Sequence, residues 1–130
     1  MTHPNADVIR GAYEAFGRGD FDTVLGLWAD DIVWHIGGRG PLSGDYHGKD
    51  EVMGFFAKLG ELTGGTFRLA IHDVAATDEH VLAIVDITAE RDGTGYANNA
   101  VHVWHMKDAK AVEFRGIMVD QYADDEFWSS

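Results

Sequence analysis

The apolar residues of the chain follow a helical spacing in its first half. From Asn5 to Arg18 they recur every three or four positions, which places them on one face of a helix. The same spacing predicts a second helix from Phe21 to about Ala29, capped by Asp20, and a third from about Lys49 to Leu62. Between these two helices, the short β-branched and aromatic run at 32–36 predicts a strand.

After residue 66 the pattern becomes that of strands separated by short turns. The predicted strands cover residues 67–76, 80–91, 96–106 and 112–119. Helices followed by a run of antiparallel strands predict an α+β fold, with three N-terminal helices packed on one face of a curved sheet.

The last hairpin, residues 96–122, carries the most promising chemistry. Alternate residues of a strand share a face, so Asn98, His102 and Trp104 point one way and His105 the other. A face that mixes aromatic groups with a titratable one suits a ligand pocket, because pockets are mostly apolar with a few placed polar groups. The pattern therefore indicates a pocket on the His102 side of the hairpin.

Composition limits the kinds of partner. The chain has 130 residues, 45% of them hydrophobic, which predicts one domain over residues 1–130. Its net charge of -12 would repel nucleic acid. It has no cysteine, so neither a disulfide framework nor a thiolate site is expected.

Localisation follows from what the chain lacks. No apolar run approaches the roughly 18 residues of a membrane span, and the first residues do not have the layout of a secretory signal. We expect a soluble, cytoplasmic protein without a membrane partner.

A metal site is not expected, nor another cofactor. His102 and His105 make an HxxH pattern, but a spacing of three places them on opposite faces of a strand. Such a pair cannot hold one ion without a bulge.

Three stretches carry a resemblance to a known family: AYEAFGRGDFDTVLGLWADDIVWH, DYHGKDEVMGFFAKL and VHVWHMKDAKAVEFRGIMVDQY. In their order, the chain resembles the SnoaL-like branch of the nuclear transport factor 2-like superfamily. The resemblance implies a cone-like α+β barrel, whose mixed, mostly antiparallel sheet encloses one apolar cavity. The branch resembles ketosteroid isomerases, polyketide cyclases and epoxide hydrolases, and it also contains binding and association domains, so the fold alone does not select a function.

The isomerase residues carry over poorly. The position of the isomerase general base falls on Ile36, which cannot take a proton. The tyrosine of the oxyanion hole aligns with Ala12, and Tyr13 is one residue further on. The third isomerase residue, a protonated aspartate, aligns with His102. Steroid isomerisation is therefore not expected.

The cyclase residues carry over in part. His102 matches the histidine that resembling polyketide cyclases use, whereas their aspartate falls near Gly116. Asp120 lies four residues further along the same strand and is the remaining candidate partner. The Asp-Arg-Asp set of resembling epoxide hydrolases is not recognisable in this chain, and Arg115 and Asp120 are the nearest residues of those types.

The catalytic candidates are thus His102 and Asp120, although His102 could also be a core residue satisfied by Asn98 or Tyr13. Trp34 and Trp104 are favoured as cavity lining, while large aromatic residues in a small domain are often plain core. The ligand-binding candidates are Tyr13, Trp28, Trp34, Asn98 and Trp104.

Two functions remain open. One is an isomerase, cyclase or hydrolase acting through His102 on a polyketide- or terpenoid-like carbonyl compound. The other is a non-catalytic domain that binds a small apolar ligand or serves for association. For either, we expect a homodimer through the outer sheet face that carries His35, Asp86 and His105.

Overall fold

The computed structural model describes residues 3–129, in which three helices and two strands precede a run of four strands and a final helix. The first elements are helix α1 (Pro4–Gly17), helix α2 (Phe21–Gly26), strand β1 (Trp28–Ile36), strand β2 (Gly44–His47) and helix α3 (Gly48–Thr63). They are followed by β3 (Arg68–Ala76), β4 (His80–Arg91), β5 (Thr94–Lys107), β6 (Lys110–Met118) and helix α4 (Gln121–Ser129).

Local chemistry explains several helix ends. Asp20 caps α2, because its carboxylate accepts a hydrogen bond from the Thr23 N–H at 3.2 Å. Gly64 ends α3 in the left-handed conformation, with φ at 58°, which glycine adopts without a steric penalty.

The six strands form one sheet in the order β2-β1-β6-β5-β4-β3. Strands β1 and β6 run parallel, and the other neighbours are antiparallel. Helix α1 packs against β3 and β4, and α3 packs against β1 and β2. On β4, buried Val81, Ala83 and Val85 alternate with exposed Leu82 and Ile84, so the inner face builds the core. The predicted α+β class is confirmed.

Four elements differ from the sequence prediction, and one of them is strand β1, which begins at Trp28 instead of at residue 32. Helix α2 ends at Gly26 instead of near Ala29, because Trp28 already belongs to strand β1. Edge strand β2 was not predicted, because its four residues are too few to show the alternation of a strand. Helix α4 was not predicted, because the sequence after β6 was interpreted as the end of a strand.

Candidate functional site

The helices and the inner face of the sheet surround a cavity of about 110 Å³. One water needs only roughly 10–15 Å³ of such space, so the cavity has room for a small organic molecule. The wall of the cavity is largely aromatic. A few polar side chains also line it, and they come from the loop after β1 and from α4. The aromatic residues include Trp28, Trp34, Phe55, Phe56, Trp104 and Phe114, and the polar set is Ser43, Gln121 and Asp124.

Tyr13, His102 and Trp104 form a hydrogen-bonded cluster in this wall. Tyr13 projects from α1, while His102 and Trp104 occupy alternate inward positions of β5. The Tyr13 hydroxyl is hydrogen-bonded to Nδ1 of His102. The Trp104 indole Nε1–H donates to the Tyr13 oxygen at 3.2 Å. The cluster therefore joins residues almost 90 positions apart in the chain.

Burial sets the protonation state of this cluster. His102 is 7% exposed, and its burial lowers the pKa of the imidazole to about 3, so the ring is neutral at pH 7. Burial also raises the pKa of Tyr13, which keeps its proton. Neither group is charged under physiological conditions.

The hydrogen-bond pattern assigns the tautomer of His102. The Trp104 indole can only donate, so the Tyr13 oxygen accepts from it. The Tyr13 O–H must then donate to Nδ1 of His102, since no other acceptor contacts it among residues 3–129. The imidazole hydrogen therefore resides on Nε2, which has no hydrogen-bond partner in the described part of the chain.

Trp28 and Trp34 belong to the aromatic wall of the cavity and are almost completely buried. Trp28 is 1% exposed and Trp34 5%, and their rings lie 5.1 Å apart. Trp34 also stacks on Phe114, with 3.8 Å between ring centroids. The Nε1–H groups of both tryptophans are buried and have no hydrogen-bond partner among residues 3–129.

A buried carboxylate, Asp124 of α4, forms the other polar part of the wall. It accepts hydrogen bonds from the Tyr96 hydroxyl at 2.8 Å, the Trp128 indole at 2.9 Å and the Gln121 amide at 3.0 Å. Burial raises the pKa of Asp124, although these three donors act in the opposite direction. Sequence reasoning missed this residue. The only sequence feature that could have indicated helix α4, and with it Asp124, is Asp120 as a possible helix cap before the apolar pair Phe127 and Trp128.

The ligand-binding candidates separate into two groups. Tyr13, Trp28, Trp34 and Trp104 line the cavity together with His102. Asn98 is not among the lining residues. Its amide donates to the Tyr96 hydroxyl at 2.8 Å and to the Asp120 carbonyl at 2.9 Å, so it connects β5 to the start of α4.

Asp120 lies apart from His102 in this structure. It is exposed, and its carboxylate accepts a hydrogen bond from the Ala123 N–H at 3.0 Å, which caps α4. No hydrogen bond or ion pair joins Asp120 to His102 within residues 3–129. The partner of His102 is Tyr13.

Of the two positions where the resembling enzymes carry carboxylates, Gly116 lies beside His102, and Ile36 lies one strand further away. Gly116 is directly opposite His102 in the β5–β6 pairing, and it is also the β6 partner of Ile36. Both residues line the cavity. A Cβ added at Gly116 would stand 3.8 Å from Cδ2 of His102, an ordinary contact distance. The structure thus has space for a Cβ at that position, with Phe114 as its nearest neighbour at 3.5 Å, but the sequence supplies no side chain there.

His35, Asp86 and His105 lie on the outer face of the sheet. The strand register places His105 opposite Glu113 and His35 beside Arg115. His35 Nδ1 is hydrogen-bonded to Asp45 and its Nε2 to Glu113, each at 2.7 Å. These contacts leave His35 and His105 outside the cavity.

No group of three His, Asp or Glu side chains in residues 3–129 could hold a metal ion. Within the same range, no helix has the length and apolar character needed to cross a membrane.

Residues 9–114 match the model of the SnoaL-like domain family. The chain belongs to this family. Solved structures of nuclear transport factor 2-like proteins match it over nearly its whole length, which confirms the branch that the sequence resembles.

Relatives of this SnoaL-like protein include structures with named sources and ligands. Bal32a, from a soil-derived mobile gene cassette, is 34% identical over 96% of both chains, with a TM-score of 0.92. TerC, crystallised with polyporic acid, is 26% identical over 98% of this chain and 100% of its own, with a TM-score of 0.87. The uncharacterized protein Rv0034 of Mycobacterium tuberculosis is 24% identical over 95% of both chains.

Proposed function

We propose that this SnoaL-like protein binds a small, largely apolar carbonyl compound of polyketide or terpenoid type, and that His102 acts on the carbonyl oxygen. The observation that carries the proposal is the neutral His102 in the aromatic cavity, oriented by Tyr13 and free at Nε2. A molecule placed in the cavity would meet that N–H as a fixed hydrogen-bond donor.

The role of His102 follows from its pKa. An imidazole whose pKa is about 3 is a weak base, so it is poorly suited to take a proton from carbon at neutral pH. Its Nε2–H can instead polarise a carbonyl and stabilise negative charge that develops on the oxygen. Tyr13 holds the ring in the required tautomer, and Trp104 in turn orients the Tyr13 hydroxyl. Such a site would promote enolisation, cyclisation or addition at a ketone.

A non-catalytic binding role is the second candidate, and a specific observation favours it. Gly116 lies directly opposite His102 and Ile36 lies one strand further away, and neither side chain can act as the base that a carboxylate would provide. Unless the substrate supplies its own base, the cavity would hold a carbonyl compound without transforming it. The same binding mode underlies both candidates.

Binding is tested by titrating the protein with polyporic acid, chosen because TerC was crystallised with it. Tryptophan fluorescence is a suitable signal, since Trp28, Trp34 and Trp104 line the cavity. We expect saturable quenching in the native protein and weaker binding in His102→Asn. His72→Asn, at an exposed position of β3, is the matched control and should bind normally. The proposal would be refuted if His102→Asn bound as tightly as the native protein. It would also be refuted if the native protein bound no aromatic ketone.

Catalysis is tested on any ketone that binds. If His102 is the electrophile, His102→Asn should lower turnover by about 10²-fold to 10³-fold, the usual loss for one oxyanion donor. Tyr13→Phe should lower it as well, because the tautomer is then no longer enforced. A ligand recovered unchanged after long incubation with the native protein would select the binding role.

The outer sheet face supports a homodimer as a further part of the proposal. Leu82 is 44% exposed, Ile84 41% and Ile117 49%, and the strand register places all three on this face. The polar residues around them are His35, Asp86, His105, Glu113 and Arg115. An apolar centre with a charged rim is the usual composition of a protein interface.

A further inference from the structure

The inner face of the sheet lacks a side chain at Gly116. One row across β1, β6 and β5 is filled by the aromatic side chains of Trp34, Phe114 and Trp104. The next row on this face consists of Ile36, Gly116 and His102. Because neighbouring strands lie roughly 5 Å apart, the backbones of the two outer residues of this row are separated by roughly 10 Å, with only a glycine between them.

This gap belongs to the wall of the cavity. Gly116 is half-buried and lines the cavity, as do the four residues around it on the inner face, Ile36, His102, Phe114 and Met118. A Cβ placed on Gly116 would stand 3.5 Å from Cζ of Phe114 and 3.8 Å from Cδ2 of His102. These are ordinary contact distances, so the recess above Gly116 has room for at least a methyl-sized group.

Neither the backbone nor the packing requires a glycine at this position. Gly116 is not among the residues with positive φ, and its strand pairs with β5 in a regular register from Phe114 to Met118, without a bulge at this point. No neighbouring atom would clash with a Cβ there. A glycine inside a strand weakens the strand, and it often marks a place where a ligand comes close to the backbone. These observations indicate a role for the recess in ligand binding.

The recess borders the free edge of His102. In an imidazole ring Cδ2 is bonded to Nε2, whereas Nδ1 lies on the other side of the ring. Cδ2 is the atom of His102 that would be closest to a Cβ at Gly116, and Nδ1 is hydrogen-bonded to the Tyr13 hydroxyl. The Nε2–H donor is therefore adjacent to the recess.

We infer that Gly116 is a specificity-determining residue of the cavity, whose recess receives a carbonyl group carried on a short arm, such as an acetyl group on an aromatic ring. The recess directs the oxygen of that group to Nε2–H of His102, while the flat body of the ligand lies in the aromatic part of the cavity. This inference rests on the proposed function, because it assigns the shape of the ligand that the same cavity binds.

The first experiment compares three probes that share a flat body, with affinities measured by isothermal titration calorimetry. The probe 2-acetylnaphthalene carries a carbonyl arm, 2-ethylnaphthalene carries an arm of similar length without the oxygen, and naphthalene has no arm. The difference between the ethyl compound and naphthalene reports on the recess. The difference between the acetyl and ethyl compounds reports on the hydrogen bond from His102.

The variants Gly116→Ala and Gly116→Val fill the recess in two steps, and valine suits the backbone of a strand. In Gly116→Val the affinity for both probes with an arm should fall by about tenfold, because burial of the two carbon atoms of the arm is lost. The affinity for naphthalene should stay within about twofold, and Gly116→Ala should give smaller losses in the same order. Gly95→Val is the matched control, since Gly95 is an exposed strand glycine outside the cavity lining and a Cβ on it would meet no atom within 4 Å.

The second experiment uses the native protein and therefore does not depend on the folding of a variant. With 2-acetylnaphthalene labelled in its methyl group, intermolecular nuclear Overhauser effects should connect this methyl group to the α protons of Gly116 and to Hδ2 of His102. Binding of the ligand without a contact between its methyl group and either residue would overturn the inference.

The outcomes separate this inference from the function on which it rests. If Gly116→Val weakens all three probes equally, or none of them, the arm does not bind in the recess and the inference is wrong. The proposed function would still stand if the preference for the acetyl over the ethyl compound fell by about threefold to tenfold in His102→Asn. An effect of the arm without any preference for the acetyl compound would refute the hydrogen bond from His102, and with it both the proposed role of His102 and the inference. If the native protein binds none of the three probes, the proposed function and the inference fall together.

Discussion

The buried His102 should make the stability of the fold depend on pH. Its folded pKa of about 3 lies below the ordinary value of 6.5, so the unfolded chain binds a proton there that the native state rejects. The stability that His102 contributes is complete above pH 6.5 and is lost as the pH falls toward 3. The sign is that of any group whose folded pKa is depressed.

The magnitude follows from the two pKa values. Between pH 7 and pH 5 the native imidazole stays neutral, while in the unfolded chain it passes from mostly neutral to almost fully charged. Proton uptake by the unfolded state at this one group then lowers the free energy of unfolding by about 2 kcal/mol. The substitution His102→Asn removes the titration and keeps a polar group that can accept from Tyr13.

The assay is urea unfolding of the native protein and His102→Asn at several pH values between 7 and 5. The difference between the two free energies of unfolding should change by about 2 kcal/mol across that range. Other groups cancel, including His35, whose pKa is raised by Asp45 and Glu113 and whose contribution is lost as the pH rises. His72→Asn provides the exposed control. The reasoning would be refuted if the free energies of unfolding of the native protein and His102→Asn changed in parallel with pH. An NMR titration that gave His102 a pKa near 6.5 would refute it as well.

Three further predictions address the surroundings of His102 and the outer face. Asp120→Ala should remove the cap of α4 and lower stability by about 1 kcal/mol in urea unfolding, without moving the NMR titration of His102; a moved titration would show that the two residues are coupled. Gly116→Asp should raise the pKa of His102 in the same NMR experiment, since the added carboxylate would stand beside the ring; an unchanged value would contradict the strand register. The double substitution Leu82→Glu and Ile117→Glu should convert a dimer into monomers in sedimentation, and a native protein that is monomeric at micromolar concentration would end the dimer proposal.

The sequence by itself determined most of the elements and the direction of their side chains. The predicted helix from about Lys49 to Leu62 agrees with α3 at 48–63, because an amphipathic helix shows its period along the chain. Likewise, the strand period of two was enough to place His102 inward and His105 outward. These properties are local, so the order of residues contains them. Short or weakly patterned elements, namely β2 and α4, did not carry enough of a period to be predicted.

Only the tertiary structure decided which groups meet inside the cavity. The helix period leaves the orientation of Tyr13 toward a strand almost 90 residues later undetermined, yet that contact selects the tautomer of His102. Helix α4 brings Asp124 to Tyr96, and it gives Asp120 the role of a helix cap. The Trp28 and Trp34 indoles have no hydrogen-bond partner among residues 3–129, and this too is a tertiary property, since it depends on every neighbour that packing brings near them. Hydrogen-bond partners and burial are set by distances across the fold, and a one-dimensional pattern does not contain those distances.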